Sequence, residues 1–301
     1  MRTSRATCDR PPRARPPIGV AEAGRVPRLL VLCAVLGLVA GAGPGAAWAD
    51  GVAQPPPPVE EEPELTGDAL KEHRKAVRAI VKALDDEKNR VMVAAEIERL
   101  GAEGTRVNRD ALIEFTDGNK NQEYLDKAFQ ALARIGGRVA LEFLCGKTAL
   151  RSRDFLVQQT AAQALAKVKD ERATAALLDV LTGRRTKIEV IGACALAVAQ
   201  SAPEDPRVRD VLFEYAGHRK DTIRANCVEA LGYLATDEVL ERLHEVLLQD
   251  SNARVRGAAA TGMQHSRRAE CIPFLREALA AENSLQVKTA CMTALQELEK
   301  R

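Results

Sequence analysis

The stretch from Asp221 to Met263, DTIRANCVEALGYLATDEVLERLHEVLLQDSNARVRGAAATGM, decides how this chain folds. Ile223, Cys227 and Leu231 recur four apart, and so do Val239 and Leu243, which is the spacing of one apolar helix face. A break at Asp237 separates two helical segments. Val255, Ala259 and Met263 then restart the pattern 32 residues after Ile223, Cys227 and Leu231. A unit of about this length, holding two short helices, cannot bury its apolar face alone and must stack on copies of itself.

Working outward from that unit, an Ala-Leu-like anchor recurs at Ile97, Leu132, Leu165, Leu196, Leu231, Met263 and Leu295, with separations of 35, 33, 31, 35, 32 and 32 residues. A second apolar column stands eight residues earlier, at Tyr124, Val157, Ile188, Ile223, Val255 and Val287. Small residues such as Ala161, Ala164, Ala259, Ala290 and Ala294 lie between the columns, which lets neighbouring helices approach closely. Breaks at Gly136 and Gly137, at Asp170, between Pro203 and Pro206 and at Asp237 are short, so each pair is an antiparallel hairpin. Strand-like alternation is nearly absent, and the chain reads as all-α.

The segments Asp221–Asp250 and Ala253–Met263 resemble the short HEAT repeats, including their phycobilisome-lyase-like subgroup. That family's Val-Arg-x-x-Ala pattern appears as Val255, Arg256 and Ala259, and as Ile223, Arg224 and Cys227. Its second-helix proline appears at Pro273. The resemblance covers 89–301 and implies a right-handed α-solenoid of about seven hairpins. Tetratricopeptide repeats share the period, but their Trp, Gly and Tyr pattern is missing.

Three segments precede the repeats. Residues 1–49 read as a secretory signal: an Arg-rich start, an apolar run from Leu29 to Ala42, and Ala47, Trp48 and Ala49 before the cut. The run is short for a membrane span, so anchoring to a membrane requires an uncleaved signal. The long stretch before it fits a true start at Val20 or Val26. Residues 50–67 hold Pro55 to Pro58 and Glu60 to Glu62, a composition for an extended tether. Residues 68–88 place Leu70, Val77, Ile80, Val81 and Leu84 on one stripe, as expected of a helix capping the stack. The last segment, from Gln286, supplies only a first helix.

The chain has 301 residues, 46% hydrophobic and 3% aromatic, with a formal charge of +2. Without the first 49 residues, 37 basic residues face 40 acidic ones. No electrostatic case for nucleic acid survives that balance.

Chemical motifs are sparse. Gly146, Lys147 and Thr148 end like a phosphate loop, but Leu141 stands where its first glycine belongs. Asp117, Asn119 and Asn121 occupy calcium-loop positions, whereas Gln122 and Ala128 replace the required Gly and Glu. His73, His218, His244 and His265 sit on separate elements and read as solvent-facing. Cys145, Cys194, Cys227, Cys271 and Cys291 are odd in number, lack a C-x-x-C pair and read as buried thiols. No catalytic set, metal site, cofactor or small-molecule substrate is expected.

One pattern points to a partner. With second helices registered at Ala173, Val208, Val239 and Cys271, the leucines four residues on face the core, and the positions six residues on read Asp179, Glu214, Glu245 and Glu277. Glu114 joins them from a register at Asn108, and Cys145 breaks the row. In a HEAT-like stack these helices line the concave face, so the row suits a basic segment of a protein partner. Arg224, Arg256 and Lys288 on the first helices read as structural, meeting loop carboxylates such as Asp221 and Asp250.

The expectation is a non-enzymatic scaffold of the cell envelope, periplasmic or secreted. The alternative implied by the resemblance is a lyase-like enzyme attaching a chromophore. HEAT-like DNA glycosylases are a poorer match, because the chain without its leader is acidic and has few aromatics to hold a flipped base.

Overall fold

A computed structural model describes residues 62–117 and 119–300. The leader, its cleavage site, Trp48 and the linker up to residue 61 lie outside the described residues. In chain order the helices are α1 (Gly67–Asp86), α2 (Arg90–Glu103), α3 (Arg106–Thr116), α4 (Gln122–Ile135), α5 (Gly137–Leu144), α6 (Phe155–Leu165), α7 (Glu171–Leu181), α8 (Ile188–Ser201), α9 (Pro206–Ala216), α10 (Asp221–Leu231), α11 (Asp237–Gln249), α12 (Ala253–Ser266), α13 (Cys271–Ala281) and α14 (Leu285–Glu299). A 3₁₀ turn, Gly232–Leu234, extends α10, and the described residues contain no strand. The fold is an all-α solenoid in which even-numbered helices are the first of each repeat.

Helix starts are written into the loops. Asn89, Asn121, Asp154 and Asn252 cap first helices, and Thr105, Asp170, Asp205 and Thr236 cap second helices, each side chain accepting a bond from a backbone N–H inside its helix. Each such cap contributes about 1 kcal/mol. Pro206 adds a preset first turn to α9. Gly136 and Gly137, at φ of 68° and 79°, make the left-handed turn between α4 and α5.

First helices stack on one another, and each of α7, α9, α11 and α13 packs on the first helix that follows it. Approach within the first-helix row is limited by backbone. A Cβ added at Gly101 would lie 2.6 Å from the Cβ of Ala131, and one at Gly232 would lie 2.0 Å from the carbonyl oxygen of Gly262. The leucines at the predicted core register of the second helices, Leu177, Leu212, Leu243 and Leu275, are fully buried.

Two arginines of the basic row on the first helices tie repeats together, whereas Lys288 is half-buried with no carboxylate within 4 Å among the described residues. Arg224 makes two bonds to Asp250, at 2.8 and 3.1 Å, and a third to the carbonyl of His218. Arg256 does the same with Glu282, at 2.7 and 3.0 Å, and with the carbonyl of Asp250. Each arginine thus joins the end of a second helix to the loop before its own helix. Asp221 takes a different partner, the side-chain amide of Asn252 at 2.6 Å.

Two boundaries differ from the sequence reading. In α8 the buried column is Val190, Cys194 and Val198, whereas Ile188 and Leu196 are only half-buried, as are Tyr124 and Val157 of the expected second column. Moving the anchor from Leu196 to Val198 makes both adjoining separations 33 residues. The capping helix runs 67–86 rather than 68–88, and it packs on α3, within the row of second helices. The end of the linker is docked on the repeats rather than free. Arg106 donates to the carbonyl of Pro63 at 2.7 Å, Arg109 donates to the Glu62 carboxylate, and Leu65 is half-buried.

Candidate partner-binding surface

The acidic positions Glu114, Asp179, Glu214, Glu245 and Glu277 are all exposed. Their surroundings differ. Glu214 stands on α9 with no cation within 4 Å among the described residues. Glu245 pairs within its own helix with Arg242. Glu277 lies 3.0 Å from Nε2 of His244, whose ring stacks on Phe274 with centroids 4.1 Å apart. These contacts link α11 to α13, the second helices of consecutive repeats. Such exposed pairs contribute well under 1 kcal/mol each, so they orient the row more than they stabilise it.

The row changes character toward the N-terminus. Asp179 bonds Arg151 at 3.0 Å and lines a cleft whose other charged residues, Arg151, Arg153, Arg184, Arg185 and Lys187, are all basic. Glu114 lines the cleft between α1 and α3, with Arg74 and Arg78 across from it. The uninterrupted acidic surface is therefore Glu214, Glu245 and Glu277 on α9, α11 and α13.

The histidines are partnered rather than solvent-facing. His218 stacks on Tyr215 and His265 on Tyr233, with centroids 5.9 and 4.5 Å apart. His73 lies 2.8 Å from Asp110, which also takes Arg109, a residue only 3% exposed. The pairings span 3 to 37 residues, so most become visible only once the repeats are in register.

The remaining motifs fill structural roles. Asn119 accepts from the N–H of Asn121, and Asn121 caps α4. Gly146 follows the end of α5 and accepts from the N–H of Arg151, while Lys147 and Thr148 are exposed. Four cysteines are buried and Cys145 is half-buried. Burial pushes the thiols of Cys194 and Cys227 up to about 12, and those of Cys145 and Cys291 up to about 11. At neutral pH they are protonated, small apolar side chains. Among the described residues, no group of three or more His, Cys, Asp or Glu side chains gathers as for a metal ion, and no helix is long and apolar enough to cross a membrane.

The family profile described as HEAT repeats matches residues 109–189, 184–264 and 209–296. No curated protein sequence matches the chain. Among solved structures, the complex of CpcE and CpcF of phycocyanin lyase from Nostoc sp. PCC7120 is 19% identical, with a TM-score of 0.43 over 82% of this chain and 100% of that one. Human deoxyhypusine hydroxylase in complex with glycerol is 17% identical, with a TM-score of 0.36 over 77% of this chain and 99% of that one.

Proposed function

We propose that this chain, which belongs to the HEAT-repeat family, is an exported, non-enzymatic scaffold that binds a protein partner along its second helices. The observation that carries this reading is the repetition of exposed carboxylates at one register, Glu214, Glu245 and Glu277, each on a helix whose opposite face is locked by a fully buried leucine. Neighbouring packed helices lie roughly 9–10 Å apart, so the row offers a basic segment a regular ladder of charges on a rigid support.

Against the lyase-type alternative, the ion pairs of the described residues are strung along the stack, and a larger cluster, His73, Asp110, Arg109, Glu62 and Arg106, ties α1 and the end of the linker to α3. Export rests on the leader alone.

Two experiments test the proposal. A reporter active only after export, fused behind residues 1–60, should be active, and an inactive fusion would place the scaffold inside the cell. Affinity capture from an envelope extract should retain a partner on the chain starting at Asp50 and lose it, at low salt, on E214Q/E245Q/E277Q. Equal retention by that variant would move the binding face elsewhere.

A further inference from the structure

We propose that the edge of the solenoid formed by the loops before α6, α8 and α10 binds an extended acidic segment of a protein partner, an inference that rests on the scaffold reading above. The loops read Arg151-Ser152-Arg153-Asp154, Arg184-Arg185-Thr186-Lys187 and His218-Arg219-Lys220, one repeat apart. Every arginine and lysine in them is exposed. Of these cations only Arg151 has a carboxylate within 4 Å among the described residues, namely Asp179.

The contrast with the next two repeats is what makes the edge unusual. There the corresponding loops carry Asp250 and Glu282, and those carboxylates are taken by Arg224 and Arg256. At the equivalent first-helix position α6 carries Gln158, which bonds the carbonyl of Leu150 at 3.1 Å. The loop after α7 offers Gly183 and two arginines where the later loops offer an acid. Positive charge therefore accumulates along three consecutive loops, in a chain whose overall charge is almost balanced.

The edge is also pre-shaped. Between the first two loops lies an open cleft of about 580 Å³. Its rim is fixed by Thr186, whose hydroxyl bonds the carbonyl of Val180 at 2.7 Å, and by the N–H of Arg151, which bonds the carbonyl of Gly146 at 2.9 Å. Lys187 at the cleft reaches the start of α6, with its ammonium 4.2 Å from the ring centroid of Phe155. Cations held on a fixed frame lose little freedom when they meet an anion.

Geometry and composition select the ligand class. Loops about 9–10 Å apart match every third residue of an extended chain, which advances roughly 3.3 Å per residue. The three loops contain no apolar residue to insert between lipids, and Leu156 is the one exposed large apolar side chain beside them.

The test uses the chain from Asp50 and a fluorescein-labelled peptide of nine residues with Glu at every third position in a Gly/Ser background. Anisotropy should report binding that weakens as salt rises. R184E/R185E and, separately, R153E/R219E should each weaken it about tenfold or more, K82E should leave it unchanged, and circular dichroism of all three variants should match the parent. Equal binding of the peptide with Gln in place of Glu, or an affinity unchanged from the parent's in both double variants, would overturn the proposal. So would displacement of the peptide by inorganic phosphate at the peptide's own concentration, which would make the edge a small-anion site. Tighter binding to phosphatidylglycerol vesicles than to the peptide, lost in R184E/R185E, would reassign the edge to a membrane. Should the peptide fail to bind while a captured partner still depends on Glu214, Glu245 and Glu277, this proposal falls and the scaffold reading stands.

Discussion

Glu282 shows how a single side chain couples this fold to pH. The guanidinium of Arg256, helped by the backbone N–H groups of Asn283 and Ser284, holds its carboxyl down at about 2. Because the folded value is depressed, the stabilisation is fully present above the ordinary glutamate range and is lost as pH falls from about 4.5 toward 2. E282Q should therefore cost about 1–2 kcal/mol at pH 7 in urea unfolding, and its deficit should shrink across that acid window. A deficit independent of pH would mean that Arg256 acts through packing alone. The arginine ladder was legible in the sequence because Arg224 and Arg256 repeat at one register beside loop acids. The stacking of His244 on Phe274 was not, since residues on two different helices meet only after the repeats are aligned.

At the scale of the helix, legibility follows how many large apolar side chains compete for the core. Helices α10 and α12 hold few of them among polar and small residues, and their anchors Leu231 and Met263 are fully buried as read. Helix α8, IEVIGACALAVAQS, is apolar nearly all round, so Ile188 and Leu196 satisfied the period while Val190 and Val198 took the core. The docking of Glu62 and Pro63 escaped for another reason: a Pro/Glu-rich stretch reads as a tether, and its partners Arg106 and Arg109 lie over 40 residues away. Close helix approach gives a sharp prediction. In G232A the new methyl meets the Gly262 carbonyl, a backbone atom that cannot swing aside, so the variant should lose about 1–3 kcal/mol or more in urea unfolding. G257A, where no atom lies within 4 Å of the added carbon, should stay close to the parent. Equal stability of the two variants would show that the row is looser than the structure has it.

For the molecule as a whole, a stack of repeats holds its ends less firmly than its middle, because each repeat is stabilised by its neighbours. Removing α14 by ending the chain at Ser284 should expose Cys271 and the face of Leu275, and hydrogen exchange should then quicken in α12 and α13 before α2 to α6. Uniformly slow exchange along the shortened chain would contradict a nearest-neighbour stack. The sequence made this architecture plain through its period, whereas the register gave five acidic positions of which Glu114 and Asp179 stand among basic residues and only Glu214, Glu245 and Glu277 form an unbroken run. The basic edge, carried by the loops RSRD, RRTK and HRK one repeat apart, was not legible in the same way, because helical periodicity is silent on how loops align until the repeats stack. The central claim is that a long helical surface, and not an enclosed site, engages a protein. Hydrogen exchange of the chain starting at Asp50, measured alone and with its captured partner, tests it most directly. The account predicts slowed exchange in α9, α11 and α13 together, extending over three consecutive repeats. Slowing confined to one cluster such as His73 and Asp110, or a partner released in chemically altered form, would contradict it and favour an enzyme.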